Sequence, residues 1–310
     1  MTRAPDGSRP SSAVPAATRP PGAERSDPRS TAPTRAPRLV ATDLDGTLLR
    51  PDGTVSRRTA DALVRAAQAG VQVVFVTARP PRWLRDLAPH VAGHGVAICA
   101  NGAAVLEVGT GRLLAERGMS RDLVGRVAER VRQAWGGPHA VHLAAESADG
   151  FAHETHFRSV HPEPPGSRTA DRIEDVLDPS TYKLLVRTTR PPTAAFSDEL
   201  AAVVGDLAIV ADSGAAGLGE ISGPGITKAA TLADWAAARG IDPGDVWAVG
   251  DARNDLSMLS WAGTSFAVAN AHAAVLAAAT QRCASNADDG VADVLDLAGA
   301  LAEGALGSSR

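Results

Sequence analysis

Apolar positions in this chain cluster into short unbroken runs, separated by stretches of helical period. Arg38 to Leu49 opens with apolar and β-branched residues, the pattern of a buried strand, and stops at Asp43-Leu44-Asp45-Gly46-Thr47. Ser56 to Ala69 reads as a helix with Ser56 as N-cap and Gly70 just past its end. Val71 to Val76 is a second run, ending in Thr77-Ala78-Arg79, and Pro80 and Pro81 are placed to open a helix through Leu87. A third strand, Gly95 to Ala100, ends at Asn101-Gly102. Strands and helices alternating at this spacing predict a parallel α/β sheet. Ligands gather at the carboxyl ends of the strands in such sheets, where Asp43, Asp45 and Thr77 fall.

From about Gly118 the pattern changes. Arg121 to Trp135 reads as a helix, and Ala140 to Ala145 with Phe151 to Phe157 as a hairpin about Ala148-Asp149-Gly150. A proline-rich loop at Pro162 to Ser167 precedes a strand at Tyr182 to Thr188, a helix at Ala194 to Val204 and a strand at Leu207 to Ala211. This reads as an α+β unit inserted into the first, spanning 118–219, with the parallel unit formed by 38–117 and 220–310. Glu220 to Gly225 then leads into a helix from Thr227 to Arg239, with Thr227 as N-cap and Lys228 in its first turn. Asp245 to Val249 is a strand ending in Gly250-Asp251-Ala252-Arg253-Asn254-Asp255, followed by a helix at Leu256 to Trp261. Thr264 to Ala269 is a last strand, and Val291 to Leu301 a covering helix.

Composition narrows the classes. A chain of 310 residues suits one large or two medium domains. Residues 1–37 are rich in Pro, Ser, Ala and Arg, cannot bury enough surface to order themselves, and read as a disordered tail. A net charge of -4 argues against nucleic acid as a partner. The two cysteines, Cys99 and Cys283, are far apart and fit a reducing cytoplasm rather than a disulfide framework. No apolar run is long enough to span a membrane, so no membrane partner is expected.

The chemistry lies at the element ends. Asp43 and Asp45 close a buried strand, where carboxylates are costly without a cation. Gly46 permits a sharp turn beside them. Lys228 in a first turn opposes the helix dipole, which suits a residue facing an anion. In order, DLDGT, Thr77, Lys228 and GDARND supply what phosphoryl transfer needs. One carboxylate can act as nucleophile and another as acid and base. Mg²⁺ favours carboxylate oxygens, while a lysine and a hydroxyl can hold phosphate. Each signal alone has a plain structural explanation: a strand-end threonine, a glycine–aspartate turn, a helix cap.

With these motifs the chain resembles the haloacid dehalogenase-like hydrolases, and within them the Cof-type phosphatases, over roughly Arg38 to Leu301. Asn101-Gly102, the YKLLV strand at Tyr182, Asn270-Ala271 and Asp289-Gly290-Val291-Ala292 add to the resemblance. It implies an α/β fold with a Rossmann-like parallel-sheet core and a large inserted α+β cap that selects the substrate. It implies Asp43 as nucleophile and Mg²⁺ ligand. Asp45 would be general acid/base and would give its backbone carbonyl to the metal, with Asp251 completing the site. Thr77, Lys228 and Asn254 would hold phosphate with the backbone of Leu44 and Ala78, while Asp255, Gly46 and Asn101 would support them. Ala78, Ala229 and Ala252 stand where the family often has glycine, glycine and serine; alanine keeps each backbone N–H.

The implied activity is a Mg²⁺-dependent phosphomonoesterase for a small phosphorylated metabolite, with a sugar phosphate the foremost expectation and vitamin-like esters next. Phosphotransfer within one sugar, as in phosphomutases, is an alternative. A phospho-receiver signalling domain is a distant one, since receivers lack a cap-sized insertion. Asp45 favours a phosphate ester over a haloacid, because halide displacement needs no proton donor. The histidines His139, His142, His153, His156 and His161 lie in the inserted unit at spacings poor for sharing a metal. Glu154 and Arg158 are candidate contacts for a sugar hydroxyl. No oligomeric state is implied.

Overall fold

The computed structural model describes residues 33–84, 87, 88, 95–148, 150–191 and 193–307. Most of the expected tail, part of the helix expected after Pro81, and Asp149 of the hairpin turn lie outside these residues. The first elements are β1 (Leu39–Thr42), α1 (Arg57–Gln68), β2 (Gln72–Val76), β3 (Val96–Cys99), β4 (Ala104–Glu107) and β5 (Leu113–Glu116). Next come α2 (Arg121–Trp135), β6 (Val141–Ser147), β7 (Gly150–Glu154), β8 (Arg168–Ala170), β9 (Thr181–Thr188), α3 (Phe196–Val204), β10 (Ile209–Ala211) and β11 (Gly219–Ser222). The chain finishes with α4 (Lys228–Ala237), β12 (Val246–Gly250), α5 (Leu256–Trp261), β13 (Thr264–Val268), α6 (Ala273–Ala278), β14 (Gln281–Cys283) and α7 (Gly290–Gly307). None of the described helices is long and apolar enough to cross a membrane.

Two sheets result. The first runs β14-β13-β12-β1-β2-β3-β4-β5, parallel from β14 to β3 and antiparallel beyond. The chain thus goes outward from β1 through β2 to β3, then returns on the other side of β1 with β12. The carboxyl ends of β1 and β12 flank the point where strand order reverses, where α/β sheets open a crevice for ligands. All four residues of β1 are fully buried, as expected of a central strand covered on both faces. Ser56 caps α1 by accepting the N–H of Thr59 at 3.0 Å, and Thr227 caps α4 by accepting that of Ala230 at 3.1 Å.

The second sheet runs β10-β11-β9-β6-β7-β8. One of its faces packs Leu143, Leu184 and Val186 against Val124, Val127 and Val131 of α2. β11 belongs to this sheet, so the expected boundary at 219 falls inside a strand: Glu220 pairs in register with Leu185 of β9. The two chain crossings between the sheets run together, since a Cβ on Gly223 would lie 3.3 Å from Met119 Cγ.

The remaining departures are small. After Pro81 the described chain makes one turn, Pro81–Leu84. β4, β5, β8, β14 and α6 lie where the apolar pattern predicts no regular element, and α7 runs past Leu301 to Gly307. β5, β8 and β14 are three- or four-residue strands at or near sheet edges with little buried surface, too short for periodicity to register.

The loop after β1 is clamped to the segment before α7. Arg50 Nε and Nη2 donate to the two carboxylate oxygens of Asp289, both at 2.9 Å. Those bonds hold the Asp289 carboxyl below its usual range. Its folded pKa lies under its unfolded one, so the pair stabilises above the unfolded value and its contribution disappears as pH falls through the folded one. Asp289 sits at φ 59°, which asparagine also tolerates. Asp289→Asn is therefore expected to lower the thermal midpoint at pH 7. Repeating the melts at falling pH should show the two proteins beginning to converge below about pH 4 and meeting only beneath the lowered folded value.

Candidate active site

The centre of the site is a buried ammonium. Lys228, the first residue of α4, donates from Nζ to Asp43 Oδ1 at 2.6 Å and to Asp255 Oδ1 at 2.7 Å. Its side chain is 1% exposed, and those of Asp43 and Asp255 are 6% and 0%. Burial lowers the pKa of Lys228, but the carboxylates of Asp255 and Asp43 outweigh it and hold that pKa above the ordinary lysine value. Asp43 is placed by β1, its N–H donating to Val249 O of β12 at 3.0 Å.

Asp251 leaves the end of β12 beside this pair. Carboxylate oxygens of Asp43, Asp251 and Asp255 lie within 4.8 Å of one another. Three carboxylates facing one ammonium carry two negative charges in excess when all are ionised. Burial, and then the neighbouring carboxylates, push Asp43 well above its usual value, and burial raises Asp251 as well. A hard divalent cation among these oxygens would relieve that excess, so the donor set fits Mg²⁺. Asp255 is poorly available as a ligand. Lys228 occupies its Oδ1, and its Oδ2 accepts the N–H groups of Asp251 and Ala252, both at 3.0 Å. It braces the loop, while Asp43 and Asp251 keep carboxylate oxygens that could hold an ion.

The turn through Gly46 is shaped around Asp251. Gly46 has φ 78°, and a Cβ there would stand 2.4 Å from Asp251 Oδ2. Thr47 Oγ1 donates to Asp251 Oδ1 at 2.7 Å, and Asn270 Nδ2 donates to Gly46 O at 2.7 Å. Leu44 is fully buried within the same turn.

Asp45 turns away from the buried cluster. Its half-exposed carboxylate accepts from Arg79 Nε at 2.8 Å and Nη2 at 2.6 Å. Asp43, Asp45, Ala78, Arg79 and Asn254 all line a cavity of about 390 Å³ between the two sheets. Thr77 and Lys228 lie behind that wall, fully or almost fully buried. Thr77 Oγ1 accepts the N–H of Arg79 at 3.0 Å, which sets the bend of the following loop.

A polar chain joins this loop to the second sheet. Asn254 Nδ2 donates to Asn101 Oδ1 at 3.1 Å, and Asn101 Nδ2 to Glu220 Oε2 at 2.9 Å. Lys183 Nζ meets the same Glu220 oxygen at 3.2 Å and donates to Ala78 O at 2.9 Å. Arg82 forms a second tie, with two hydrogen bonds to Glu146 at 3.0 and 2.7 Å. Arg79, Arg82, Lys183, Glu146 and Glu220 were not expected from the sequence as site residues. The available signal was a charged residue inside an otherwise apolar strand, as in TYKLLV and GEIS.

Glu154 does not face the cavity. It is buried against Arg132 and accepts the N–H groups of Leu143 and Ile173 at 2.9 and 3.2 Å, so it has no place for a sugar hydroxyl. The histidines are dispersed: His142 and His156 stack edge-on with centroids 5.8 Å apart, and His153 meets Glu154 O, Thr169 and Glu163.

Residues 40–295 match the family described as haloacid dehalogenase-like hydrolase. The 5-amino-6-(5-phospho-D-ribitylamino)uracil phosphatase YbjI of Escherichia coli (strain K12) is 28% identical over 267 residues, covering 84% of this chain and 95% of that protein. The pyridoxal phosphate phosphatase YbhA of the same organism is 28% identical over 272 residues, covering 83% and 97%. The crystal structure of SMU.1108c from Streptococcus mutans UA159 shares the fold, with a TM-score of 0.73 at 22% identity over 84% of this chain and 98% of that one.

Gly46→Ala should displace the Asp251 carboxylate without unfolding the protein. Turnover and apparent Mg²⁺ affinity are both expected to fall by about tenfold or more. Mg²⁺ titration of activity, with a thermal melt as the control for folding, checks this.

Proposed function

This chain belongs to the haloacid dehalogenase-like hydrolases, and from that membership we propose that it is a Mg²⁺-dependent phosphomonoesterase working through an aspartyl-phosphate on Asp43. Its substrate would be a small phosphorylated metabolite, a class supported by the names of the two curated relatives. The chief support is the single ammonium of Lys228 shared by Asp43 and Asp255, with Asp251 alongside, at the reversal point of the sheet.

In this proposal an oxygen of Asp43 attacks phosphorus as the bond to the leaving oxygen breaks. Lys228 keeps the Asp43 carboxylate oriented and offsets the charge gathering on the phosphoryl oxygens. Asp45, protonated, gives its proton to the leaving oxygen and so releases the alcohol. The same carboxylate then takes a proton from water as that water attacks phosphorus. The bond to Asp43 breaks, freeing inorganic phosphate and restoring both residues.

For this, Asp45 must leave its bidentate partner, which makes Arg79 a holder of the acid between turnovers. Asn254 and the N–H groups of Leu44 and Ala78 are the proposed phosphate donors, with Thr77 supporting their loop. Mg²⁺ held by Asp43, Asp251 and the Asp45 carbonyl would supply positive charge against the phosphate. The second sheet, with α2 and α3, would act as the cap that admits the substrate.

Asp43→Asn is expected to cut phosphate release by on the order of a thousandfold or more with the fold intact. Chelator should abolish activity and Mg²⁺ restore it; activity that persists in either case would count against the proposal. Asp45→Asn should slow alkyl phosphates by about a hundredfold or more and 4-nitrophenyl phosphate far less, since nitrophenolate leaves without a proton. Equal slowing of both would remove the acid role.

A further inference from the structure

The face of the second sheet that looks into the cavity has an order along its strands. Lys183, Leu185 and Arg187 alternate on β9 and all line the cavity, while Leu184 and Val186 point into the core beneath α2. In register beside Lys183 stands Glu146 of β6, which itself pairs with Phe151 of β7. Glu220 of β11 lies beside Leu185. The floor therefore has three zones. The charged end, Lys183 with Glu220 and Glu146, touches the phosphate loop through Ala78 O. The middle is apolar: Ala144, Phe151, Phe157 and Leu185 form one cluster with Leu218 packed on it, and the Arg82 guanidinium lies 5.6 Å from the Phe151 ring centre. The far end is Arg187, roughly 13 Å from Lys183 at the rise of an extended strand.

Arg187 differs from the other cations of this wall. Arg79, Arg82 and Lys183 each meet a carboxylate. Among the described residues no carboxylate pairs with Arg187. Its one hydrogen bond is a long contact of 3.5 Å to Gly217 O, and its buried Nε has no partner. A guanidinium offers five donors, and the buried, unmatched Nε carries a cost in free energy that an incoming acceptor would recover.

We propose that the cavity selects phosphomonoesters whose alcohol half is a flat aromatic ring bearing an anionic or carbonyl oxygen remote from the phosphate. Phe151, Phe157 and Leu185 seat the ring, and Arg187 takes the distant oxygen. This assignment rests on the phosphomonoesterase reading for the orientation of the ester. A sugar phosphate, foremost in expectation from the sequence, would set hydroxyls over Phe151, Phe157 and Leu185, which offer them no hydrogen-bond partner. A ring loses nothing there and gains offset or edge contacts with the two phenylalanines, which themselves meet edge-on at 6.3 Å.

Binding to full-length Asp43→Asn protein, measured by calorimetry with Mg²⁺ present, separates recognition from turnover. The probes are 4-carboxybenzyl phosphate, benzyl phosphate and glucose 6-phosphate. The expected order is 4-carboxybenzyl over benzyl over glucose 6-phosphate, with about tenfold or more between first and second. Adding Arg187→Met should collapse the advantage of the carboxylate, and Arg187→Lys should retain part of it. Glucose 6-phosphate binding as well as 4-carboxybenzyl phosphate would overturn the proposal, as would Arg187→Met weakening all three probes alike. Phosphate release from 4-nitrophenyl phosphate by the wild-type protein is the separate control. Its absence would sink the phosphomonoesterase reading while the binding order still decides the ring and Arg187.

Discussion

The shared ammonium of Lys228 is the constraint from which the rest follows. A buried lysine without carboxylates would shed its proton, and buried carboxylates without a cation would take one up. Lys228 therefore depends on its carboxylate neighbours for its proton, while Asp43, pushed up by burial and by the acids beside it, is drawn back toward its charged form by that ammonium. Asp43 and Lys228 are 185 residues apart in sequence, yet their atoms meet at 2.6 Å. Only a sheet that runs outward from β1 and later returns beside it with β12 brings them together. The position of the insertion follows, because the second lobe leaves the chain after the outward run and hands it back before the return.

The central strands and the acidic turns were legible in the sequence because two independent signals coincide in them. An unbroken apolar run marks a strand covered on both faces, and an abrupt aspartate marks its end. Ser56 and Thr227 were legible for a similar reason, since a capping hydroxyl precedes each helical period. The edge strands carried no such pattern: LLAE and QRC are short and hold no fully buried residue, and pairing rather than burial makes them strands. Glu220 was legible as a residue but not as a member of the second sheet, because register with β9 is a property of the folded neighbour.

Pairings across the cavity were beyond sequence reasoning for a further reason. Lys183 and Ala78, or Arg82 and Glu146, are joined by geometry between lobes, and no periodicity encodes it. Asp255 shows the same limit from the other direction. Its place in the motif and a supporting role there were expected, yet which groups it braces becomes visible only when the partners of its two oxygens are traced. The distinction matters chemically, since a carboxylate already saturated by N–H donors has little left to offer an ion.

The crossings at Met119 and Gly223 lie side by side, so the second lobe is fastened to the first along one edge. A unit tethered this way resembles a cassette. Its floor can be rewritten by ordinary substitution while the acid cluster keeps its spacing, because no backbone element of the cluster passes through it. The exceptions are the contacts from Lys183 to Ala78 O, from Asn101 to Glu220, from Arg82 to Glu146 and from Asn254 N to Asp212 O, where the cassette meets the first lobe directly. Diversification of such a floor is most constrained at those ties.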